Sequence, residues 1–448
     1  MNRSQPGTRK QKITNPLVQG IEVYLSGKAR SNDDISSNED GLVAAAIRDT
    51  PQTTDVPKRY TIYEPMLLLP ISFKTHTTAW RCFFQSLTES QRHQLFDGII
   101  SSFAQTGRHI THVALNAPIE AQVLGEIAEG RDKNVMRAPA NLEPLYGDFG
   151  PGTLLCGSEP AKLDFDTALW VSTSQLPNIT QIWAPRWTMF SRGNIREKPR
   201  ILGHTQQNPS SFRGMTQEEL GEPLSEADVI DMYVGIGYFA IPYLRRGTRR
   251  VIGWELNPWS VEGLRRGCEA NGFKCRVFQV GSDCAKAEMQ CLIDEVIAVL
   301  KQDKQARCLA FCGDNSYAAD VLAGVEASLR GSDPELNIRH CNLGLLPTST
   351  GSWAGAVDAL STIRGGWLHV HENAEILQVE QKRQEVMAGI VELTRRLKGS
   401  GWLVDCEYTE MVKTYAPGVG HFVFDIRLSV PIVRHSSQLL APFWMYRP

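Results

Sequence analysis

From about residue 228 onward, short apolar runs alternate with longer stretches whose apolar positions recur every three or four residues. Residues 229–234 read as a buried strand, 238–245 as the start of a helix, 251–254 as a second strand and 259–270 as a second helix. Two further apolar runs, 276–280 and 308–311, flank an amphipathic helix at 285–300. Later strands are expected at 338–343, 367–370, 402–408 and 421–428, with helices at 353–363 and 376–397. Strands that alternate with helices in this way predict an α/β domain built on a parallel, doubly wound sheet. The last two strands are joined through Pro417-Gly418, a connection short enough that the final strand must run antiparallel.

The first half of the chain has a different pattern. Residues 1–57 are rich in Ser, Asn, Asp, Gln and Thr and are expected to form a disordered N-terminal extension. The apolar run 66–72, the helical stretch 80–103 and the strand-like 112–116 predict a smaller α+β domain over 58–185. Pro- and Gly-rich stretches at 139–160 and 178–213 read as loops and short strands joining two lobes, and a basic linker and cofactor loop at 186–227 leads into the Rossmann-like domain, 228–448.

Composition narrows the function classes. The chain of 448 residues has room for two or three domains, and its 42% hydrophobic and 21% charged content is ordinary for a globular protein. No apolar run approaches the ~20 residues of a membrane span. The polar, basic start has no apolar core of a signal peptide, so a cytoplasmic protein with no membrane partner is expected. A net charge of -2 means that any nucleic-acid surface must be local. The ten cysteines include no CxxC pair, and no metal site is expected. His369-x-His371 puts two imidazoles on one strand face, which reads more simply as packing than as ligation.

Gly235-Ile-Gly237 follows the first strand of the predicted sheet, where glycines let a ligand approach the backbone. Tyr238-Phe239 stands where the third glycine of a dinucleotide fingerprint would be, which suits a nucleoside without phosphates better than NAD. Glu255 ends the second strand about 20 residues beyond the glycines, the spacing at which a carboxylate accepts hydrogen bonds from both ribose hydroxyls. These features point to S-adenosyl-L-methionine. Gly313-Asp314-Asn315 closes another strand and could face the adenine, with Ser282-Asp283 as the competing position. Ahead of the sheet, Arg186, Arg192, Arg196, Lys198 and Arg200 concentrate positive charge in one loop. There Ser191 and Lys198 could clasp an amino-acid carboxylate while the arginines meet RNA phosphates.

The runs Pro144-Leu-Tyr-Gly-Asp-Phe-Gly-Pro, Ala168-Leu-Trp-Val-Ser-Thr, Thr188-Met-Phe-Ser-Arg-Gly-Asn-Ile, Val234-Gly-Ile-Gly-Tyr-Phe and Glu255-Leu-Asn-Pro occur in order along the chain. They are followed by Asn342-Leu-Gly-Leu-Leu-Pro, Gly365-Gly-Trp-Leu-His-Val-His-Glu-Asn and Lys413-Thr-Tyr-Ala-Pro-Gly. Together they resemble the tRNA wybutosine-synthesizing protein 2 family, in particular its fungal members. The resemblance implies a class I methyltransferase-like fold and transfer of the 3-amino-3-carboxypropyl group of S-adenosylmethionine to C7 of 4-demethylwyosine at position 37 of phenylalanine tRNA. Ser191, Lys198, Glu255, Asp314 and Asn315 fall on family cofactor-binding positions, and related enzymes on the same fold methylate guanine-37. This chain departs from the family in the roughly forty residues between Asn271 and Gly313. A sulfonium can be attacked at any of three carbons, so the way its arms are held selects the product. Asp231 and His371 are the candidates for removing the C7 proton, and Trp187, Phe190 and Tyr238 for stacking on the extruded base.

Overall fold

The computed structural model describes residues 15–33, 51–116, 142–154, 159–176, 178–191, 196–203, 212–281, 285–331 and 335–430. They form two compact units. The first comprises Met1–Arg192, Gly235–Gly237 and Leu256–Gly272; the second comprises Gly193–Val234, Tyr238–Glu255 and Phe273–Pro448.

In the first unit, β1 (Thr61–Tyr63), β2 (Met66–Pro70), β3 (His112–Asn116) and β4 (Leu142–Tyr146) form one sheet in that order. The helices α1 (Pro16–Asp33), α2 (Thr78–Ser86) and α3 (Glu89–Ala104) close over it. Leu67, Leu69, Phe73, Trp80, Phe96 and Val113 build the core. Helix α1 corrects the expectation of a disordered extension over residues 1–57 for its described part at 16–33. Asn15 Oδ1 accepts from Leu17 N–H at 3.0 Å and Pro16 opens the helix, a start signal that costs nothing at the first turn. Leu17 and Ile21 are fully buried, and a Cβ on Gly20 would lie 2.5 Å from Ile99 Cα, so α1 and α3 meet backbone to backbone. Helix α4 (Lys162–Thr167), the hairpin β5 (Val171–Leu176) and β6 (Ile179–Trp183), and the helix Pro258–Ala270, α8 in chain order, complete this unit.

The second unit holds eight strands: β7 (Asp228–Asp231), β8 (Arg250–Glu255), β9 (Lys274–Gln279), β10 (Ala306–Cys312), β11 (Ile338–Leu343), β12 (Gly366–Glu375), β13 (Leu403–Ala416) and β14 (Val419–Ser429). Their order is β13-β14-β12-β11-β7-β8-β10-β9, parallel from β12 to β9, with β14 antiparallel to both its neighbours. This is the Rossmann-like sheet ending in an antiparallel pair that the alternation predicted. The forty-residue departure takes a definite form. It adds β9 as an outer edge strand and the helix α9 (Lys286–Gln302), then returns the chain as β10 beside β8.

The remaining helices of this unit are α5 (Glu197–Leu202), α6 (Gln217–Leu220), α7 (Ala240–Arg246), α10 (Ala318–Leu329), α11 (Trp353–Ala359) and α12 (Val379–Lys398). Side chains alternate across the sheet, and the two faces differ sharply. Ile230, Ile252, Phe311, Cys341, Leu368 and Phe424 face α9 to α12 in one apolar core with Val296, Val325, Val357 and Ile390. The register partners on the opposite face include Asp231 with Asn342, Asn342 with His369, and His369 with Asp425, all buried. Among the described residues, no helix is long and apolar enough to cross a membrane.

Candidate functional site

The parallel strands β7, β8, β10, β11 and β12 all end at one edge of the sheet, the usual ligand edge of such folds. Gly235 and Gly237, which follow β7, have φ of +54° and +83°, a backbone that a Cβ would strain. The turn belongs to the first unit by its contacts, as does half-buried Ser191. Gly253, inside β8, has another reason to lack a side chain: a Cβ there would sit 2.8 Å from the Val234 side chain.

Within the second unit the predicted residues gather at the strand ends. Cys312 is in register with Glu255, and Gly313 N–H donates to Glu255 O at 2.9 Å, so Asp314 emerges beside Glu255 despite the long insertion. Asp314 is exposed, and its Oδ1 accepts from Ser316 N–H at 2.8 Å. Asn315 Nδ2 donates to Met232 O at 2.7 Å, tying the end of β10 to that of β7. The competing Asp283 lies outside the described residues.

Asp231 ends β7 fully enclosed. Its Oδ1 accepts from Tyr233 N–H at 3.2 Å, while Oδ2 has no partner among the described residues. Burial, with the Glu255 carboxylate adding to it, pushes its pKa up to about 7. An uncompensated buried carboxyl of this kind is commoner at working sites than in cores.

In the basic loop, Arg200 departs from the expectation that the arginines meet RNA phosphates. Arg200 is 2% exposed and is ion-paired on both sides, with Glu197 one turn back and with Asp425 on β14. It anchors α5 to the sheet. Arg186 lies half-buried with its guanidinium 5.8 Å from the Phe149 ring centroid, Arg196 is exposed, and Arg192 lies outside the described residues. Lys198, which lies between Glu197 and Arg200 in the chain, is also buried, and burial lowers its pKa to about 8. Its ammonium stands 5.4 Å from the Tyr238 ring centroid.

Of the aromatic candidates, Trp187 stacks on Trp259 at 4.9 Å and Phe190 on Trp183 at 4.3 Å, both within the first unit. Tyr238 is half-buried under Lys198.

His371 carries more than the sequence suggested. His369 and His371 do share a strand face, but each has its own partners. His369 Nδ1 meets Asp425 Oδ1 at 2.6 Å and its Nε2 meets His340 Nδ1 at 3.0 Å; His340 Nε2–H donates to Gly214 O at 2.8 Å. His371 Nδ1 is 2.9 Å from His421 Nε2, and the Phe239 ring lies 5.4 Å from its own. Burial, seconded by His421, takes the pKa of His371 well below its usual value, and burial with Lys413 brings that of His421 to about 4. Sequence reasoning missed Asp425, His340, His421 and the buried role of Arg200. The available signal was a set of imidazoles and a carboxylate alternating with apolar residues inside predicted strands.

The sheet order, the glycine turn and the acidic strand ends define a Rossmann-like domain of the methyltransferase type. Residues 218–310 match the model of the TRM5/TYW2 methyltransferase domain. The tRNA wybutosine-synthesizing protein 2 of Schizosaccharomyces pombe is 33% identical over 371 residues, which cover 83% of this chain and 72% of the relative. The Saccharomyces cerevisiae protein of the same name is 29% identical over 410 residues, covering 84% and 75%. The chain belongs to the tRNA wybutosine-synthesizing protein 2 family. A crystal structure of Pyrococcus horikoshii TYW2 with MeSAdo is 16% identical, with a TM-score of 0.46 over 90% of this chain and 99% of that one.

Proposed function

We propose that this protein transfers the 3-amino-3-carboxypropyl group of S-adenosyl-L-methionine to C7 of 4-demethylwyosine at position 37 of phenylalanine tRNA, with release of methylthioadenosine. The 33% identity to a wybutosine-synthesizing protein over most of both chains carries this reading. The chemistry of the strand ends agrees with it. Glu255 takes the ribose hydroxyls, and Asp314 with Asn315 lines the adenine position. Lys198 holds the amino-acid carboxylate, where a desolvated ammonium binds an anion far more strongly than one in water would.

The donor supplies an electrophilic carbon on sulfonium, and the chain's own residues choose which carbon is presented. Fixing the carboxylate at Lys198 turns the γ carbon, not the methyl, toward the base. β11 ends in Asn342-Leu-Gly-Leu-Leu-Pro, which lacks the Asn-Pro-Pro-aromatic sequence used to methylate exocyclic amines. Carbon C7 is nucleophilic on its own, so no covalent enzyme intermediate is needed.

The test is incubation of the protein with precursor tRNA and S-adenosylmethionine labelled on either the methyl or the carboxyl carbon. Carboxyl label entering the RNA is the expected result. Methyl label would make the protein a guanine-37 methyltransferase, and label from neither position would make it a non-catalytic RNA-binding protein.

A further inference from the structure

Ten buried side-chain nitrogen and oxygen atoms lack a hydrogen-bond partner among the described residues, and five of them lie on four adjacent strands of one sheet face. They are Asp231 Oδ2 on β7, Asn342 Nδ2 on β11, His371 Nε2 and Asn373 Oδ1 on β12, and His421 Nδ1 on β14. Register puts them side by side: Asn342 pairs with Asp231, His371 and Asn373 follow His369 at alternate positions, and His421 pairs with Asn373. Leaving a buried polar atom unpaired costs about 1–3 kcal/mol. Five in one patch, at the ligand edge of the sheet, mark a surface built for a polar ligand.

Two of the five atoms are opposite ends of one hydrogen-bonded unit. His371 Nδ1 meets His421 Nε2 at 2.9 Å, which leaves His371 Nε2 at one end and His421 Nδ1 at the other. A pair of neutral imidazoles joined in this way has two tautomers, which differ by moving one proton along the whole unit. In one of them His371 Nε2 is a bare acceptor and His421 Nδ1 bears hydrogen. In the other the roles are exchanged. A proton taken up at Nε2 of His371 can therefore leave from Nδ1 of His421, with no net charge left in the low-dielectric interior. Asp231, the rival acceptor, is hydrogen-bonded through Oδ1 to the Tyr233 N–H, a donor that cannot take up a proton, so it lacks a second ring through which to relay one.

We infer that His371 is the catalytic base that removes the C7 proton and that His421 relays this proton away from the site. The inference rests on the aminocarboxypropyl transfer proposed above. The ring's π electrons form the bond from C7 to the γ carbon as the carbon–sulfur pair departs onto sulfur. The C7–H pair then returns to the ring, the proton goes to His371 Nε2, the Nδ1 proton of His371 moves to His421 Nε2, and His421 gives up its Nδ1 proton to water. The depressed basicity of both rings agrees with a resting pair that is neutral. Lys413, Arg200 and His369 reinforce neutrality, and Asp425 opposes it only in part.

The test uses the full chain and precursor tRNA with hydrogen or deuterium at C7, in single turnovers with carboxyl-labelled S-adenosylmethionine. The wild-type protein should show no primary isotope effect, because the relay makes proton loss fast. His371→Gln should slow transfer by about 10²–10⁴-fold, the usual worth of a general base, and a primary isotope effect should appear. His421→Gln should show the same isotope effect with a smaller loss of rate. Both variants should bind S-adenosylmethionine as the wild type does, and His371→Asn serves where the glutamine variant fails to fold. Slowing without an isotope effect, an isotope effect that appears in Asp231→Asn instead, or wild-type rates in both histidine variants would overturn the relay. Absence of carboxyl transfer by the wild type would instead overturn the function on which it rests.

Discussion

The two faces of the eight-stranded sheet are made by the same strands at alternate positions, yet they are held by different physics. On one face Ile230, Cys341, Leu368 and Phe424 pack against four helices in a core whose side chains are almost all apolar, the Trp254 indole N–H being an exception. On the other, Asp231, Asn342, His369, His371 and Asp425 occupy the neighbouring positions of those strands and are equally buried. The apolar face gains stability in proportion to the water it excludes. The polar face has to satisfy each buried group individually, and where it does not, at Asp231, Asn342 and His371, a ligand is the natural remedy. Buried surface thus supports the fold on one side and chemistry on the other.

The contrast can be broken most severely at Asp425. Asp425→Ala leaves Arg200 with Glu197 alone and removes the acceptor of His369, so unfolding should become easier by about 3–5 kcal/mol in a denaturant titration. Replacing Arg200, Glu197 and Asp425 together by apolar residues of similar volume should recover most of that stability. On the opposite face, Leu368→Ala should cost about 2–5 kcal/mol through the cavity it leaves and should not alter the pH dependence of stability.

A smaller effect is expected at Asp231, and it changes with pH. Folded Asp231 keeps its proton up to about 7 against an ordinary carboxyl value of 3.8, so the folded state binds more protons in that window. Stability therefore falls as pH rises from about 4 through 7 and stays reduced above it. Asp231→Asn should raise stability at pH 8 by up to about 4 kcal/mol and change it little at pH 4. A gain of equal size at both pH values would place the cause elsewhere. Smallest is the effect at Lys198. Above its pKa of about 8 the ammonium loses its proton, so the dissociation constant for S-adenosylmethionine should rise by up to about tenfold per pH unit, and Lys198→Met should flatten that rise.

Much of the sheet was legible because period-two and period-3.6 patterns are local. Ile338–Leu343 and His112–Asn116 stand as strands where the apolar runs put them, and Pro417-Gly418 does turn the chain back. Helix α1 was missed although its signal is present. Asn15-Pro16 opens it and Leu17, Val18, Ile21 and Leu25 follow at helical spacing, but the polar composition of the surrounding segment outweighed eleven residues of pattern. The site was legible in part, and for a different reason. Spacing from the glycines put Glu255 at the end of β8, a local relation, whereas Arg200 with Asp425 joins positions 225 apart and His371 with His421 positions 50 apart. Pairings at that range depend on strand order and register, which no single window of sequence contains.

Strand β9 has a further consequence. Without it and α9, the strand that ends in Asp314 would be the rim of the sheet, with unpaired N–H and C=O groups open to another chain. The inserted strand takes that exposed place with Lys274 and Arg276, both ion-paired to Asp303 at the end of α9, and charged rims of this kind discourage strand addition. The insertion that lengthens the path to Asp314 and Asn315 therefore also guards the sheet against self-association.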